Sequence, residues 1–416
     1  MALRTTSLAL LLGVAVLGGV IGRASAAGPA GGANDLPVAS EVRLGGDEVQ
    51  TRMVVDLSHK VDLRAFTLAN PYRVVIDLPQ VAFQFPPKTG EVGRGLIKAF
   101  RFGLVMQGGS RMVIDLARPA RVEKAFVIEP ANDQPARLVL DLSATDRDAF
   151  MRTIALENRA LDSRPPEVRR IDLHPDGKPS ADARPLVVVD PGHGGIDNGT
   201  KAPSGEVEKT IVLEFSLLLR DKLEKTGKYR VVMTRTDDTF IALGDRVQLA
   251  RARQAALFMS IHADALRRVE GDAHGATIYT LSERPSDARA AQLAEAENQA
   301  DAIAGIDLSA EPKGVAGILI DLARRETKTF SQQFAQGMVT ELRAATRLHM
   351  HPLKSAAFVV LKAPDVPSVL VELGYVTNKA DLKSLISNGW RERTADAMVQ
   401  AVHTFFTTRV AGTGQN

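Results

Sequence analysis

The apolar positions change their rhythm once along this chain, near residue 185. Before it, short β-branched runs recur between polar ends: Arg52-Met-Val-Val-Asp56-Leu57, Arg73-Val-Val-Ile-Asp77-Leu78, Arg111-Met-Val-Ile-Asp115-Leu116 and Arg137-Leu-Val-Leu-Asp141-Leu142. Each has an apolar centre flanked by Arg and Asp, and turn residues such as Asn70-Pro71 or Gly108-Gly109 bound them. Weaker runs, Ala65-Phe-Thr-Leu68 and Ala125-Phe-Val-Ile128, lie between. Short strands at this spacing predict a small all-β sandwich. The stretches 51–78 and 111–142 look like duplicates. They hold no paired carboxylates, clustered histidines or glycine loop, so this part is expected to bind or position rather than catalyse.

After residue 185 strands alternate with helices, the pattern of an α/β domain. Leu186-Val-Val-Val-Asp190 is a short apolar run that stops at Pro191-Gly-His193-Gly-Gly195. It predicts a buried strand whose turn begins at its carboxyl end, where open α/β sheets place ligands. Ile211, Phe215, Leu219 and Leu223 recur every four residues and predict an amphipathic helix. Tyr229-Arg-Val-Val-Met233, Leu257-Phe-Met-Ser-Ile261, Gly275-Ala-Thr-Ile-Tyr279, Ala357-Phe-Val-Val-Leu361 and Ser368-Val-Leu-Val-Glu372 predict further strands. The expected architecture is a twisted, mostly parallel sheet with flanking helices over residues 185–410. Residues 146–184 are rich in Arg, Asp and Pro, lack a sustained period and are expected to form a linker.

Composition narrows the chemistry. The chain has 416 residues, 45% hydrophobic and 24% charged, with a net charge of +3 and no cysteine. That length suits about two to three domains. The charge is too small to argue for nucleic acid, and disulfide or thiolate chemistry is excluded, so any metal must use His and carboxylates. Met1-Ala-Leu-Arg4, the apolar stretch Ser7 to Ile21 and Ala24-Ser25-Ala26 have the three parts of a secretory signal, expected to be cleaved after residue 26. Residues 27–36 read as a disordered leader. The mature chain is expected in a periplasm, peripheral to a membrane at most.

Two histidines close predicted strands, His193 and His262, and a glutamate, Glu372, closes a third. On neighbouring parallel strands, both imidazoles would open on one edge of the sheet. Glu208 precedes the first apolar residue of the amphipathic helix, and Glu206 lies two before it. Two His and one carboxylate, with a position left for water, is the pattern of a catalytic zinc site, and a nearby carboxylate can act as general base. No Gly-x-Ser-x-Gly elbow and no phosphate-binding Gly-Lys-Ser/Thr loop occurs. His349 and His351 read as a surface or structural pair, and His59, His174 and His403 lack matching company. His274 ranks second, and Asp264 is a candidate to orient a histidine.

The motifs Asp190-Pro-Gly-His-Gly-Gly195, Glu208-Lys209, Ser260-Ile-His-Ala-Asp264 and Val371-Glu372 resemble those of the zinc-dependent N-acetylmuramoyl-L-alanine amidases. The β-repeat over residues 37–145 resembles the AMIN domain, a wall-targeting module. The resemblance implies one zinc on His193, Glu208 and His262, with Glu372 as acid/base. It also favours Glu208 over Glu206, and implies cleavage of the amide between N-acetylmuramic acid and L-alanine in peptidoglycan. A zinc peptidase acting on the stem peptide and a non-catalytic peptidoglycan-binding scaffold are the alternatives.

The interval from Leu281 to Ala357 is long for one crossover. Ser286 to Ala304 predicts an alanine-rich helix, weakly docked because alanine buries little area, and Ile318 to Ala345 predicts a better anchored one. Cell-division members of the resembled family carry such an insertion, here about 283–313. The resemblance implies that it covers the active site until an activator with a LytM-type domain displaces it. Within Ala294-Glu-Ala-Glu297-Asn298, that resemblance marks Glu297 as the blocking residue.

Overall fold

The computed structural model describes residues 36–106, 108–132, 134–162, 182–265, 274–305 and 318–413. The expected signal sequence and leader up to residue 35, most of the expected linker and His174 lie outside the described residues.

The N-terminal part is all β, with antiparallel strands in two sheets. One sheet has the order β5-β1-β2-β9-β8, from β1 (Val38–Gly46), β2 (Gln50–Leu57), β5 (Ala82–Phe83), β8 (Ala120–Ile128) and β9 (Ala136–Ala144). Only the short β5 runs parallel to its neighbour. The other has the order β3-β4-β7-β6, from β3 (Arg64–Leu68), β4 (Arg73–Pro79), β6 (Ile97–Met106) and β7 (Gly109–Leu116). The four repeated runs are β2, β4, β7 and β9, and they pair across the duplication, β2 with β9 and β4 with β7. Met53, Val55, Val74, Ile76, Met112, Ile114, Leu138 and Leu140 fill the space between the sheets.

One expectation needs correcting. Residues 147–162, within the segment expected to be linker, form helix α1 (Arg147–Asp162). Its Phe150 is buried edge-on against the Tyr72 ring, at 5.1 Å and 84°. Phe150, with Ile154 one turn on, packs the helix against the N-terminal core.

The second domain has one six-stranded sheet in the order β11-β10-β12-β15-β13-β14. Its strands are β10 (Leu186–Pro191), β11 (Arg230–Met233), β12 (Leu257–His262), β13 (Ala276–Leu281), β14 (Leu348–Ala356) and β15 (Ser368–Glu372). Neighbours are parallel except β13 against β15. Helices α2 (Glu208–Lys225), α6 (Ile318–Ala345) and α8 (Asn388–Thr413) cover one face. Ile211, Phe215, Leu219 and Leu223 of α2 are at most 3% exposed, each contributing up to about 1.5–3 kcal/mol by burial. Helices α3 (Leu243–Ala252) and α4 (Ala288–Glu297) lie on the other face with Phe358 and Val360. A short α5 (Ala300–Ile303) follows α4, and α7 (Lys379–Leu385) precedes α8.

Two local expectations fail. The strand expected at Ala357–Leu361 is instead a 3-10 turn, Val359–Leu361, and the strand is β14 just before it. β14 is an edge strand, where Pro352 removes no needed ladder hydrogen bond. The helix expected over 286–304 breaks at Asn298. The Asn298 amide donates to Ala357 O (2.9 Å) and accepts from Val359 N (2.7 Å), so the side chain ties the end of α4 to the turn after β14.

Candidate metal and hydrolytic site

The strand order does the gathering. β10 and β12 are parallel neighbours, with Pro191 opposite Ile261, so the turn carrying His193 and the end of β12 carrying His262 share one rim. β15 lies on the other side of β12, and Glu372 sits opposite His262. Helix α2 starts at Glu208, which enters the same rim from its first turn. His193 itself has a left-handed backbone, φ 59°.

His193, Glu208 and His262 are buried and offer ligand atoms that all lie within 4.8 Å of one another. His193 Nε2 is 3.1 Å from Glu208 Oε1, and His262 Nδ1 is 3.4 Å from the same oxygen. Neither ring nitrogen has a hydrogen-bond partner, although both are fully buried. Buried polar atoms are seldom left so. Two imidazole lone pairs and a carboxylate facing one point fit a divalent cation bound by nitrogen and oxygen.

The surrounding groups aim these ligands. His193 Nδ1 donates to Asp197 Oδ2 (2.9 Å), which leaves the Nε2 lone pair free. Glu208 accepts from Ala263 N (2.8 Å) on Oε1 and from Thr200 N (3.0 Å) on Oε2. Gly199 packs so closely that a Cβ would come within 2.6 Å of His193 Cδ2 and 2.7 Å of Glu208 Oε2. Below the rim, Asp190 accepts from Arg246 (2.8 Å), Thr234 (2.6 Å) and Ser260 (2.7 Å). Arg246 also donates to the carbonyls of Pro191 and His193, tying the turn down.

Burial disfavours the imidazolium of His193, but the carboxylates of Glu208, Asp197 and Glu297 outweigh it and hold its pKa well above the ordinary value. Burial likewise opposes ionisation of Glu208, and the two histidines overcome it, holding the carboxyl well below its usual range. Glu372 is completely buried, with Oε2 accepting from Asp264 N (3.1 Å) and Oε1 without a partner. Burial, then the charges of Asp264, Glu208 and Glu297, push its pKa well up. A carboxyl whose pKa is raised is a stronger base once ionised and can both take and return a proton, which suits acid/base work.

Glu297, at the end of α4, enters the same point. Its Oε2 is 3.2 Å from His262 Nδ1 and 3.6 Å from His193 Nε2. Burial pushes its pKa up to about 7 against the pull of the histidines.

Residues 187–404 match the family described as N-acetylmuramoyl-L-alanine amidase, Amidase_3, and residues 41–142 match the AMIN domain. N-acetylmuramoyl-L-alanine amidase AmiC of Neisseria meningitidis serogroup B is 32% identical over 394 residues, covering 91% of this chain and 92% of the relative. The chain belongs to the N-acetylmuramoyl-L-alanine amidase family. AmiC of Escherichia coli O6:H1 is 30% identical over 372 residues, 86% of each chain. The solved N-acetylmuramoyl-L-alanine amidase from Clostridium difficile 630 is 25% identical, covering 54% of this chain and 98% of its own, with a TM-score of 0.39. The amidase therefore pairs a wall hydrolase with an AMIN domain, and no helix among its described residues is long and apolar enough to cross a membrane.

His193, Glu208, His262, Glu372 and Glu297 are thus brought together. Glu206 is not: it lies on the turn before α2 and accepts from Ser204 Oγ, so it does not exchange places with Glu208. Among the described residues no hydrogen bond joins Asp264 to a histidine; its carboxylate accepts from Thr200 Oγ1 (2.8 Å) and its backbone holds Glu372. The carboxylate that orients His193 is Asp197, which the chain reading missed. An i, i+4 spacing from His193 was the available signal, hidden because the segment is a loop. His274 precedes β13 and lies outside the ligand trio. His349 and His351 sit on the edge strand β14, while His403 on α8 meets Tyr229 Oη at 3.2 Å.

Proposed function

We propose that the amidase holds one zinc ion on His193, Glu208 and His262 and uses Glu372 as acid/base to cleave the amide joining N-acetylmuramic acid to L-alanine in peptidoglycan. The carrying observation is the pair of buried, partnerless ring nitrogens, His193 Nε2 and His262 Nδ1, facing Glu208 Oε1. Zinc bound there would polarise the scissile carbonyl and lower the pKa of a bound water to about 7. Glu372, with Oε1 free and Oε2 fixed by Asp264 N, would take a proton and return it to the leaving alanine nitrogen. Asp197 and Thr200 would hold His193 and Glu208 in place meanwhile.

The amidase is read as periplasmic, exported by a cleaved signal over residues 1–26 and directed to the wall by its AMIN domain. It is also read as self-inhibited. Glu297 stands where a ligand or substrate oxygen would have to come, which supports the insertion as a plug that an activator with a LytM-type domain removes.

Digestion of purified peptidoglycan with mass spectrometry of the products tests the bond cleaved. Intact stem peptides with a free alanine amine are expected; fragments cut inside the stem would replace this reading with that of a peptidase. Chelation should abolish digestion and zinc restore it, and His193→Ala should copurify without metal.

A further inference from the structure

The outer face of the four-stranded sheet is both apolar and basic, and it lies on the insertion. In β4 and β7 the side chains alternate. Val74, Ile76, Met112 and Ile114 fill the N-terminal core, whereas Val75 and Val113 turn outward and join the core of the catalytic domain. Gly305, just beyond α5, rests on these two valines: a Cβ there would come within 2.9 Å of Val75 and 3.0 Å of Val113. Three arginines surround the contact. Arg101 Nε donates to Ile303 O (2.6 Å), Arg111 Nη1 donates to Ala304 O (2.9 Å), and Arg73 Nη1 donates to Ala302 O.

The Ile303 and Ala304 carbonyls stand at the end of α5, where backbone acceptors lack intrahelical partners and cations are favoured, while Ala302 O also accepts from Gly305 N (3.1 Å). Two of the arginines are pre-set by carboxylates of their own sheet, Arg101 by Asp115 (2.6 Å) and Arg111 by Asp77 (2.5 Å). The same strand that carries Arg101 also touches the turn of His193, because Ile196 N donates to Leu104 O (3.2 Å). β6 therefore spans from the metal-site turn to the end of α5. By contrast, the apolar grip of α4 is small, chiefly Ala290, Leu293 and Ala294.

We propose that the β3-β4-β7-β6 face of the N-terminal domain is the docking surface for the insertion, and that it keeps the helix bearing Glu297 closed. This rests on the reading of Glu297 as the blocking residue. A wall or protein ligand that draws the N-terminal domain off this face would then favour the open site, coupling what that domain binds to hydrolysis.

The test uses the full-length, zinc-loaded amidase and two readouts, hydrogen exchange over residues 288–305 and basal hydrolysis of purified peptidoglycan. Arg101→Ala with Arg111→Ala should raise both by about tenfold, equivalent to about 1.4 kcal/mol of closed-state preference. Arg52→Ala, on the other sheet, should change neither. Glu297→Ala should raise hydrolysis without loosening residues 300–305. Unchanged exchange in the double-arginine variant overturns the proposal, whatever Glu297→Ala does. Faster exchange with no gain in hydrolysis from either variant upholds the docking surface and removes the blocking role. Should the arginine variant fold poorly, Val113→Glu puts a charge into the contact from a position outside the N-terminal core, and the same outcomes apply.

Discussion

Two Arg–Asp pairs, one in each domain, share a chemistry and differ in surroundings. Arg246 and Asp190 meet at 2.8 Å beneath the catalytic rim, with 3% and 1% of their side chains exposed. Arg52 and Asp141 meet at 2.6 Å on the five-stranded sheet, with 60% and 19% exposed. In water such a pair is screened and gains little. Under the rim, Arg246 also holds the Pro191 and His193 carbonyls, and Asp190 takes two hydroxyl hydrogen bonds, so the charges are parts of the site's scaffold. Burial, more than charge or distance, separates an architectural ion pair from a surface one.

The largest effect expected from a buried charge is chemical. Glu372→Gln should lower turnover by about 10²–10⁴-fold while metal content stays the same. Wall clearing at the parent rate would take Glu372 out of the reaction. Next comes the scaffold: Asp190→Ala leaves Arg246 buried without its anion and should cost about 3–5 kcal/mol in denaturant unfolding. Burial alone would raise the Asp190 pKa, but Arg246, Thr234 and Ser260 hold it below the ordinary value. Its contribution is therefore complete above the unfolded pKa of about 4 and fades as pH falls through the lower folded value. The gap between parent and variant should narrow on acidification below about pH 4; a gap that widened there would contradict the assignment.

Glu297 sharpens the comparison from the other side. It is buried like the scaffold charges, yet it rides on a helix held by few large side chains. Glu297→Ala should leave the unfolding midpoint almost unmoved and raise basal hydrolysis by about tenfold. A stability loss with no gain in rate would class it with Asp190 instead. The smallest effect belongs to the wet pair: Arg52→Ala should leave both the melting temperature and the basal rate unchanged, and a clear drop in either would show that exposure is a poor guide here.

Much of this was readable in the chain. β12 and β15 are apolar runs that end in His262 and Glu372, β10 is one that leads into the turn of His193, and α2 shows its buried stripe at Ile211, Phe215, Leu219 and Leu223. Harder to read were groups whose roles depend on how a loop closes. Asp197 and Thr200 reach His193 and Glu208 only because the turn folds back with left-handed residues at 193–195 and 199. The strand expected at Ala357–Leu361 lies earlier, as β14, because nothing local distinguishes that apolar run from a true edge strand. The four Arg…Asp runs read alike, although those of Arg73 and Arg111 lie under α5 while Arg52 of another faces water.

By itself the sequence determined the strong periods: the apolar strands that lead to His193, His262 and Glu372, the buried stripe of α2, and that a β domain precedes an α/β domain. Those features depend on a few neighbouring residues at a time. Tertiary structure alone decided that β12 lies between β10 and β15, that Asp197 orients His193, and that the arginines of β6 and β7 meet the end of α5. Such meetings come from long-range sheet order and from which outward face finds an apolar partner, and no local period encodes either.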